Sequence, residues 1–337
     1  METGNIEYKQ LGSSGILVSK VCLGTWAIGG WVWGGSEEEE SVRTIRSALD
    51  RGVNFIDTAP VYGFGRSEEI VGKALKGHVA RDRVVVATKV ALEWDEKEKV
   101  FRNASRQRIL KEVEDSLGRL QTDYIDLYQV HWPDPLTPIE ETAQVMAELL
   151  EAGKIRAVGV SNYSPQQMDA FRKVAPLHSV QPPYNLFERQ IEGDVLPYAK
   201  KHGIAILAYG AICRGLLSGK MKPDTRFQGD DLRQYDPKFR EPRFSQYLKA
   251  VAELDEMADK RHGRRVLELA VRWVLDQGAV ALWGGRHPSQ LERVDQVFGW
   301  SLTPEELKDI DEVVRRNIPD PIGPDFMAPP VRDKASL

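Results

Sequence analysis

Four side chains in this sequence combine reactive groups with regular placement: Asp57, Tyr62, Lys89 and His131. They sit at or just past the C-terminal ends of three successive apolar runs, NFIDTA (54–59), VVVATK (84–89) and YIDLYQVHW (124–132). A carboxylate, a phenol, an amine and an imidazole brought together can move a proton to or from a carbonyl oxygen. A free phenol ionises at about pH 10, too high for efficient exchange near neutrality. Lowering that value by ~3 units takes roughly 4 kcal/mol of extra stabilisation of the phenolate. An ammonium about 4 Å away supplies that order at an effective dielectric of about 20. Lys89 is placed to do so, with Asp57 to keep it charged and His131 to donate a hydrogen bond to a carbonyl. Singly, each residue has an ordinary explanation: a strand-end ion pair worth under ~1 kcal/mol, a packing tyrosine, a structural histidine. Their shared placement favours chemistry.

The elements that must position these groups alternate regularly. Besides the three runs above, short β-branched stretches occur at KVCLGTWA (20–27), IRAVGVSN (155–162), SVQPPYN (179–185), GIAILAYGA (203–211) and AVALWGGR (279–286), eight in all. Helical apolar spacing lies between them, as at 41–52, 105–120 and 139–153, the last ending at Gly153 as a C′ glycine. This alternation predicts βα units and a parallel sheet. Eight units fit an α/β (β/α)₈ TIM barrel, in which strand C-termini converge on one functional mouth. A doubly wound sheet would carry GxGxxG after its first strand, whereas this chain has GTWAIGGWVWGG there. The segment 7–20 reads as a hairpin around SSG that caps the closed end of the barrel. After the seventh run a polar loop, 218–244, precedes helices near 245–261 and 265–277, and another helix is expected near 304–315. Long loops in compact domains are usually lids or binding loops. No linker divides the chain, so residues 1–337 are read as one domain.

Two further loops suit an anion. YGAICRGLLSGK (209–220) follows the seventh run with small residues plus Arg214 and Lys220. GGRHPSQLERV (284–294) follows the eighth, with Arg286 before a predicted helix whose first turn holds Pro288. Backbone amides, a helix N-terminus and a guanidinium there would hold phosphate, and these loops are the common phosphate site of such barrels. Trp31 and Trp33, in a Gly-rich loop, read as pocket residues beside Trp26 and Trp132.

Other chemistries find less support. His131 and Asp134 are possible metal ligands, but no second His or Cys stands at metal-site spacing, so no metal is expected. No GxSxG elbow is present. The 337 residues carry a net charge of −4, with no basic excess for nucleic acid. Hydrophobic residues make up 42%, an ordinary soluble composition, and no apolar run is long enough for a bilayer. METGNIEYKQ lacks a secretory apolar segment, and Cys22 and Cys213 form no disulfide pattern, so a cytoplasmic setting is expected. Nothing in the pattern assigns an oligomeric state; a monomer is allowed.

These residues resemble the aldo-keto reductase family. The matching pieces are LGSSGILVSKVCLGTW, FIDTAPVYGFGRSEEIVGKAL, ATKV, YIDLYQVHWPDP, GKIRAVGVSNYS, QPPYN, the seventh-run loop and GGRHPSQLE, together covering nearly the whole chain. WAIGGWVWGG, ALWGGR and DPIGPDFMAPP are most similar to a bacterial general-stress, NADPH-dependent subgroup. The resemblance implies reduction of aldehydes or ketones with NADPH, or the reverse oxidation, on a small-molecule carbonyl substrate. It implies Tyr62 as general acid/base, Asp57 and Lys89 tuning it, and His131 orienting the carbonyl. The nicotinamide would stack on Tyr209, its carboxamide held by Ser161, Asn162 and Gln181, with Thr25, Trp26 and Asp57 also facing the cofactor. The pyrophosphate would lie along Gly210, Arg214, Gly215, Leu217 and Lys220, and the 2′-phosphate would meet Gly285, Arg286 and Gln290. Relatives often read YSPL where this chain has YGAI, and carry asparagine where Val294 stands. Two rival readings remain: a cofactor-sensing regulatory subunit of the same fold, and a sugar- or polyol-phosphate isomerase-like barrel without nicotinamide.

Overall fold

In the computed structural model, which describes residues 6–332, eight parallel strands close into a barrel. A hairpin of β1 (Tyr8–Gln10) and β2 (Leu17–Ser19) precedes it. The barrel strands are β3 (Val21–Gly24), β4 (Phe55–Asp57), β5 (Val85–Val90), β8 (Leu127–Val130), β9 (Val158–Ser161), β10 (Ser179–Gln181), β11 (Ala205–Ala208) and β12 (Val280–Gly284). Each pairs with the next in this order, and β12 closes on β3. All eight fall on the expected runs, β5 extending one residue past its run to Val90, and the first and last pair as the TIM-barrel reading requires.

Strand alternation divides the core into two layers. Ile56, Val86, Tyr128, Val158, Ile206 and Trp283 point outward into the layer shared with the helices. Phe55, Val85, Ala87, Leu127, Ala157, Leu207 and Leu282 point inward. Leu11, Ile16 and Val18 of the N-terminal hairpin join that inner set, so the hairpin plugs the closed end with apolar side chains. Two residues further along the same strands, the inward positions become Asp57, Lys89 and Gln129. The switch from apolar to polar at a fixed height separates packing from function within single strands.

Ten α-helices occur among the described residues, beginning with the single turn α1 (Trp26–Gly29). Around the barrel lie α2 (Glu38–Asp50), α3 (Arg66–Leu75), α4 (Arg106–Leu120), α5 (Ile139–Glu151), α6 (Pro165–Arg172) and α7 (Val195–His202), followed by α8 (Arg243–His262), α9 (Val266–Asp276) and α10 (Pro304–Asn317). Side-chain caps place several starts: Ser164 with Gln167 begins α6 and Thr303 with Glu306 begins α10 as capping boxes. Gly153, two residues past α5, is left-handed at φ +73°, as a C′ glycine should be.

Two findings depart from the sequence reading. A second hairpin, β6 (Leu92–Trp94) with β7 (Val100–Arg102), rises from the mouth after β5. The helix expected after Arg286 is a four-residue 3₁₀ turn, Pro288–Leu291. Gln290 Oε1 accepts from the amides of Arg286 (2.7 Å) and His287 (3.1 Å), so the donors expected to meet a phosphate already have a partner. A side chain of the right length has taken the place of a longer helix and its dipole.

Candidate active site

The loop after β4 brings Tyr62 over the barrel through a series of tight turns. Gly65 N–H reaches back to Pro60 O (2.6 Å), and Gly63 is left-handed at φ +70°. A Cβ at Gly63 would lie 2.2 Å from Gly29 O, and one at Gly29 would lie 2.5 Å from the Tyr62 backbone. These glycines let α1 press directly on the tyrosine loop, and Trp26 of α1 stacks on the phenol ring at 5.9 Å.

Below it lies a closed polar network. Lys89 Nζ donates to Asp57 Oδ1 (2.5 Å), Thr58 O (3.0 Å) and Tyr62 Oη (3.1 Å), which uses all three ammonium hydrogens. The other carboxylate oxygen, Asp57 Oδ2, accepts from Gln129 Nε2 (3.0 Å) and Gln181 Nε2 (2.9 Å). Lys89 is 0% and Asp57 2% exposed. A buried ion pair contributes little net stability, because desolvation offsets the Coulomb gain; its value here lies in aiming an ammonium at a phenol. His131 stands edge-on to Tyr62, ring centroids 5.9 Å apart.

The ionisation states differ in part from expectation. Removal from water pushes the Tyr62 phenol above its ordinary value, and Lys89 pulls against this without overturning it. The expected lowering is therefore not what the protein alone produces: a buried phenolate loses more hydration than one ammonium returns. Burial, then the Lys89 charge, holds His131 well below the ordinary imidazole range, so it is a neutral ring with an N–H to donate. Burial works against the charged form of Lys89, yet Asp57 and Tyr62 hold it above its ordinary value.

Tyr62, Asp57 and His131 open into one cavity of about 580 Å³ at the C-terminal mouth, within the usual range for ligand sites of about 300–1,000 Å³. Thr25, Trp26, Ser161, Asn162, Gln181, Tyr209, Gly210, Arg214, Gly215, Gly285, Arg286 and Gln290 also line it. So do Trp31, Trp33 and Trp132. Lys89 lies behind the lining, reaching the cavity through Tyr62, and two of the expected cofactor residues are not brought there: Leu217 is fully buried in the helix-side core, and Lys220 is exposed and not part of the lining. Asp134, weighed above as a metal ligand, instead accepts from Ala104 N, Leu136 N and Thr137 Oγ1 beside the mouth.

At one end of the cavity Ser161 Oγ donates to Gln181 O (2.7 Å), and Asn162 Nδ2 donates to His131 O (3.1 Å). Asn162 Oδ1 accepts from Tyr209 Oη (3.1 Å), and Tyr209 lines the cavity beside it. At the other end Arg286 Nη1 donates to Trp33 O (2.8 Å) and Gly35 O (3.2 Å). Arg214 is buried in a four-charge cluster, donating to Glu188 (2.5 Å) and Asp236 (2.6 Å), with Lys238 2.8 Å from Glu188. Its charge is balanced before any ligand arrives.

Sequence reasoning missed Gln129, the β6–β7 hairpin and the docking of the C-terminal tail, and it read the 218–244 loop as a lid or binding loop without its contacts. From the polar loop, Asp230 accepts from Val32 N (2.7 Å) and Gly34 N (2.9 Å), and Arg233 lies over the Trp33 ring. The C-terminal tail brings Phe326, Met327, Pro329 and Pro330 to the cavity, held by Arg102 through Pro329 O (2.8 Å). The only available signals were the polar loop's length and the tail's proline content, and neither specifies where a segment docks.

Comparison with known proteins agrees with this geometry. The model of the aldo/keto reductase family matches residues 20–315. Aldo-keto reductase YhdN of Bacillus subtilis (strain 168) is 60% identical over 98% of this chain and 100% of its own. The NADH-specific methylglyoxal reductase of Escherichia coli (strain K12) is 40% identical over 64% of this chain and 70% of its own. The solved glycerol dehydrogenase AKR11B4 from Gluconobacter oxydans superposes with a TM-score of 0.86 at 57% identity, covering 97% and 100% of the two chains. With its closed barrel and hairpin plug matched nearly end to end, the chain belongs to the aldo-keto reductase family of oxidoreductases.

Proposed function

We propose that this protein is an NADPH-dependent carbonyl reductase that converts aldehydes or ketones to alcohols, with Tyr62 as the general acid. The observation that carries the reading is the single line of contacts Asp57–Lys89–Tyr62, opening beside neutral His131 into a cavity with a guanidinium at its far end. A nicotinamide dinucleotide suits that cavity. Gly24 and Gly284 are register partners at the ends of β3 and β12 and both line it, so its floor there carries no side chain. Tyr209 offers a flat face for a ring, with amide groups of Asn162 and Gln181 nearby.

When bound, a reduced nicotinamide supplies the hydride that the carbonyl carbon receives. The protein's residues handle the oxygen. His131 donates its N–H to the carbonyl and orients it. Tyr62 remains protonated near neutrality and gives its proton to the oxygen as charge develops there. Lys89 stabilises the phenolate left behind, and Asp57 holds Lys89 in place. Trp26, Trp31 and Trp132 shield the site from water and favour flat or apolar carbonyl compounds. The names of the relatives, a methylglyoxal reductase and a glycerol dehydrogenase, support small carbonyl substrates as well.

Arg286 and Gln290 at the far end support NADPH over NADH, by offering a cation and an amide to a 2′-phosphate. The free, buried cysteines Cys22 and Cys213 accord with a cytoplasmic setting. The test is a titration with NADPH and with NADH by nicotinamide fluorescence, followed by cofactor oxidation on adding a nitrobenzaldehyde. Saturable binding with NADPH preferred and many turnovers per enzyme is expected. Tight binding without multiple turnover would instead favour a cofactor sensor.

A further inference from the structure

Asp57 is held by three side chains, Lys89, Gln129 and Gln181, and of these Gln129 alone has no place in the reading above. Gln129 lies on β8 as the register partner of Lys89, is 0% exposed, and lines no part of the cavity. Its Nε2 donates to Asp57 Oδ2 (3.0 Å), while its Oε1 accepts from Gln181 Nε2 (3.2 Å). Two residues back on the same face stands the apolar side chain of Leu127, so the strand turns from apolar to polar at Gln129. A buried amide is costly unless every group is paired. Here the pairing is directional, from Gln181 through Gln129 to the carboxylate.

The barrel also makes room for this side chain. Gly159, opposite Gln129 on β9, has no Cβ; one there would lie 2.9 Å from Gln129 Cγ and 2.4 Å from Ser179 Oγ. With Oδ1 on Lys89 and Oδ2 on two amides, the carboxylate has no freedom to turn. Lys89 has no spare hydrogen either, so any displacement of Asp57 reaches Tyr62 Oη directly.

We infer that Gln129 is a positioning residue for the proton transfer: its amide fixes Asp57 and, through Lys89, sets the acidity of Tyr62. The inference rests on Tyr62 being the proton donor. Two N–H groups draw charge from the carboxylate and limit its repulsion of a phenolate. The titratable groups facing Asp57 and Tyr62 are Lys89 from β5, Cys22 from β3, His131 after β8 and Tyr209 after β11. Cys22, His131 and Tyr209 are neutral near pH 7, so Asp57 and Lys89 are the charges that matter to the phenol.

The experiment measures kcat against pH for alcohol oxidation and carbonyl reduction in the wild type, Gln129→Leu and Gln129→Glu. Melting temperature and NADPH affinity by fluorescence are measured alongside. Gln129→Leu is expected to bind NADPH within about threefold of wild type, because Gln181 keeps its bond to Asp57. Its alkaline oxidation limb should move up by roughly one pH unit, a tenfold change in the ionisation constant of the phenol. Gln129→Glu should work nearly as wild type at low pH, where its carboxylic acid donates to Asp57 as the amide did. It should lose at least about tenfold as the pH rises and the two carboxylates, in hydrogen-bond contact, repel each other. A packing role would lower melting temperature and rate at every pH without moving the limb. An unmoved limb in Gln129→Leu, or a Gln129→Glu profile parallel to wild type, overturns the inference. If the leucine variant does not fold, the glutamate profile decides alone. Tyr62→Phe run in parallel separates the two claims: full turnover in that variant removes the acid assignment, whereas a dead variant with unmoved Gln129 profiles removes only the role of Gln129.

Discussion

Removing the Lys89 ammonium, as in Lys89→Met, should produce two losses that can be told apart. The ammonium lies 3.1 Å from Tyr62 Oη and 2.5 Å from Asp57 Oδ1. At an effective dielectric of about 20, a unit charge at the phenol distance stabilises a phenolate by up to about 5 kcal/mol. Since about 1.4 kcal/mol is a factor of ten, carbonyl reduction should slow by about a thousandfold or more. Stability falls separately: leaving one partner of a buried pair uncompensated costs about 3–5 kcal/mol, at the low end here because Asp57 keeps two amide donors. The double variant Asp57→Asn/Lys89→Met removes the stranded charge. Urea unfolding of the double variant should recover most of the lost stability, while NADPH oxidation with a nitrobenzaldehyde should stay as low as in Lys89→Met. Recovery of turnover together with stability would refute the reasoning, because it would make Lys89 a structural cation and nothing more.

Arg286→Ala should weaken NADPH by roughly 10- to 150-fold, the worth of a charge-assisted hydrogen bond of about 1.5–3 kcal/mol, and NADH far less. An equal loss for both in fluorescence titrations would detach Arg286 from the 2′-phosphate. Arg214→Met leaves buried Glu188 and Asp236 with Lys238 alone; urea unfolding should show a loss of about 3–5 kcal/mol, and an unchanged midpoint would contradict Arg214 as the balancing charge of this buried cluster. Burial holds His131 and His178 below the ordinary imidazole value, so below about pH 6.5 the unfolded chain binds more protons than the native one and stability falls as pH falls. Melting temperatures should accordingly drop between about pH 7 and pH 5, less so in His178→Gln, and a flat profile in the wild type would contradict buried neutral imidazoles.

Much of this architecture was legible because barrel strands are short, β-branched and regularly spaced, and because their C-terminal ends share one mouth whatever the loops do. The polar residues at 57, 89 and 131 could be placed together by that rule alone. Gln129 could not: within YIDLYQVHW it reads as one polar position in a buried strand, and only the closed barrel brings it to Asp57 across β5. Charge pairing across loops was also hidden. Arg214 looked free for a phosphate until Glu188, Asp236 and Lys238, distant in sequence, were folded against it. The turn at 288–291 read as a helix because Pro288 suits a first turn, but Gln290 caps the amides locally and the turn ends within four residues. The phenol's ionisation was misjudged for a related reason: proximity to an ammonium is visible in the pattern, whereas loss of water around Tyr62 depends on α1, Trp26 and the closing segments.

The central claim is that Tyr62 gives the proton in a cavity that holds the cofactor independently of it. Its most direct test is Tyr62→Phe, which removes one oxygen and leaves the ring that stacks on Trp26. NADPH affinity by fluorescence should stay within about threefold of wild type, while steady-state reduction of a nitrobenzaldehyde should fall by at least about a hundredfold, as expected for loss of a general acid. Wild-type turnover in Tyr62→Phe would contradict the account.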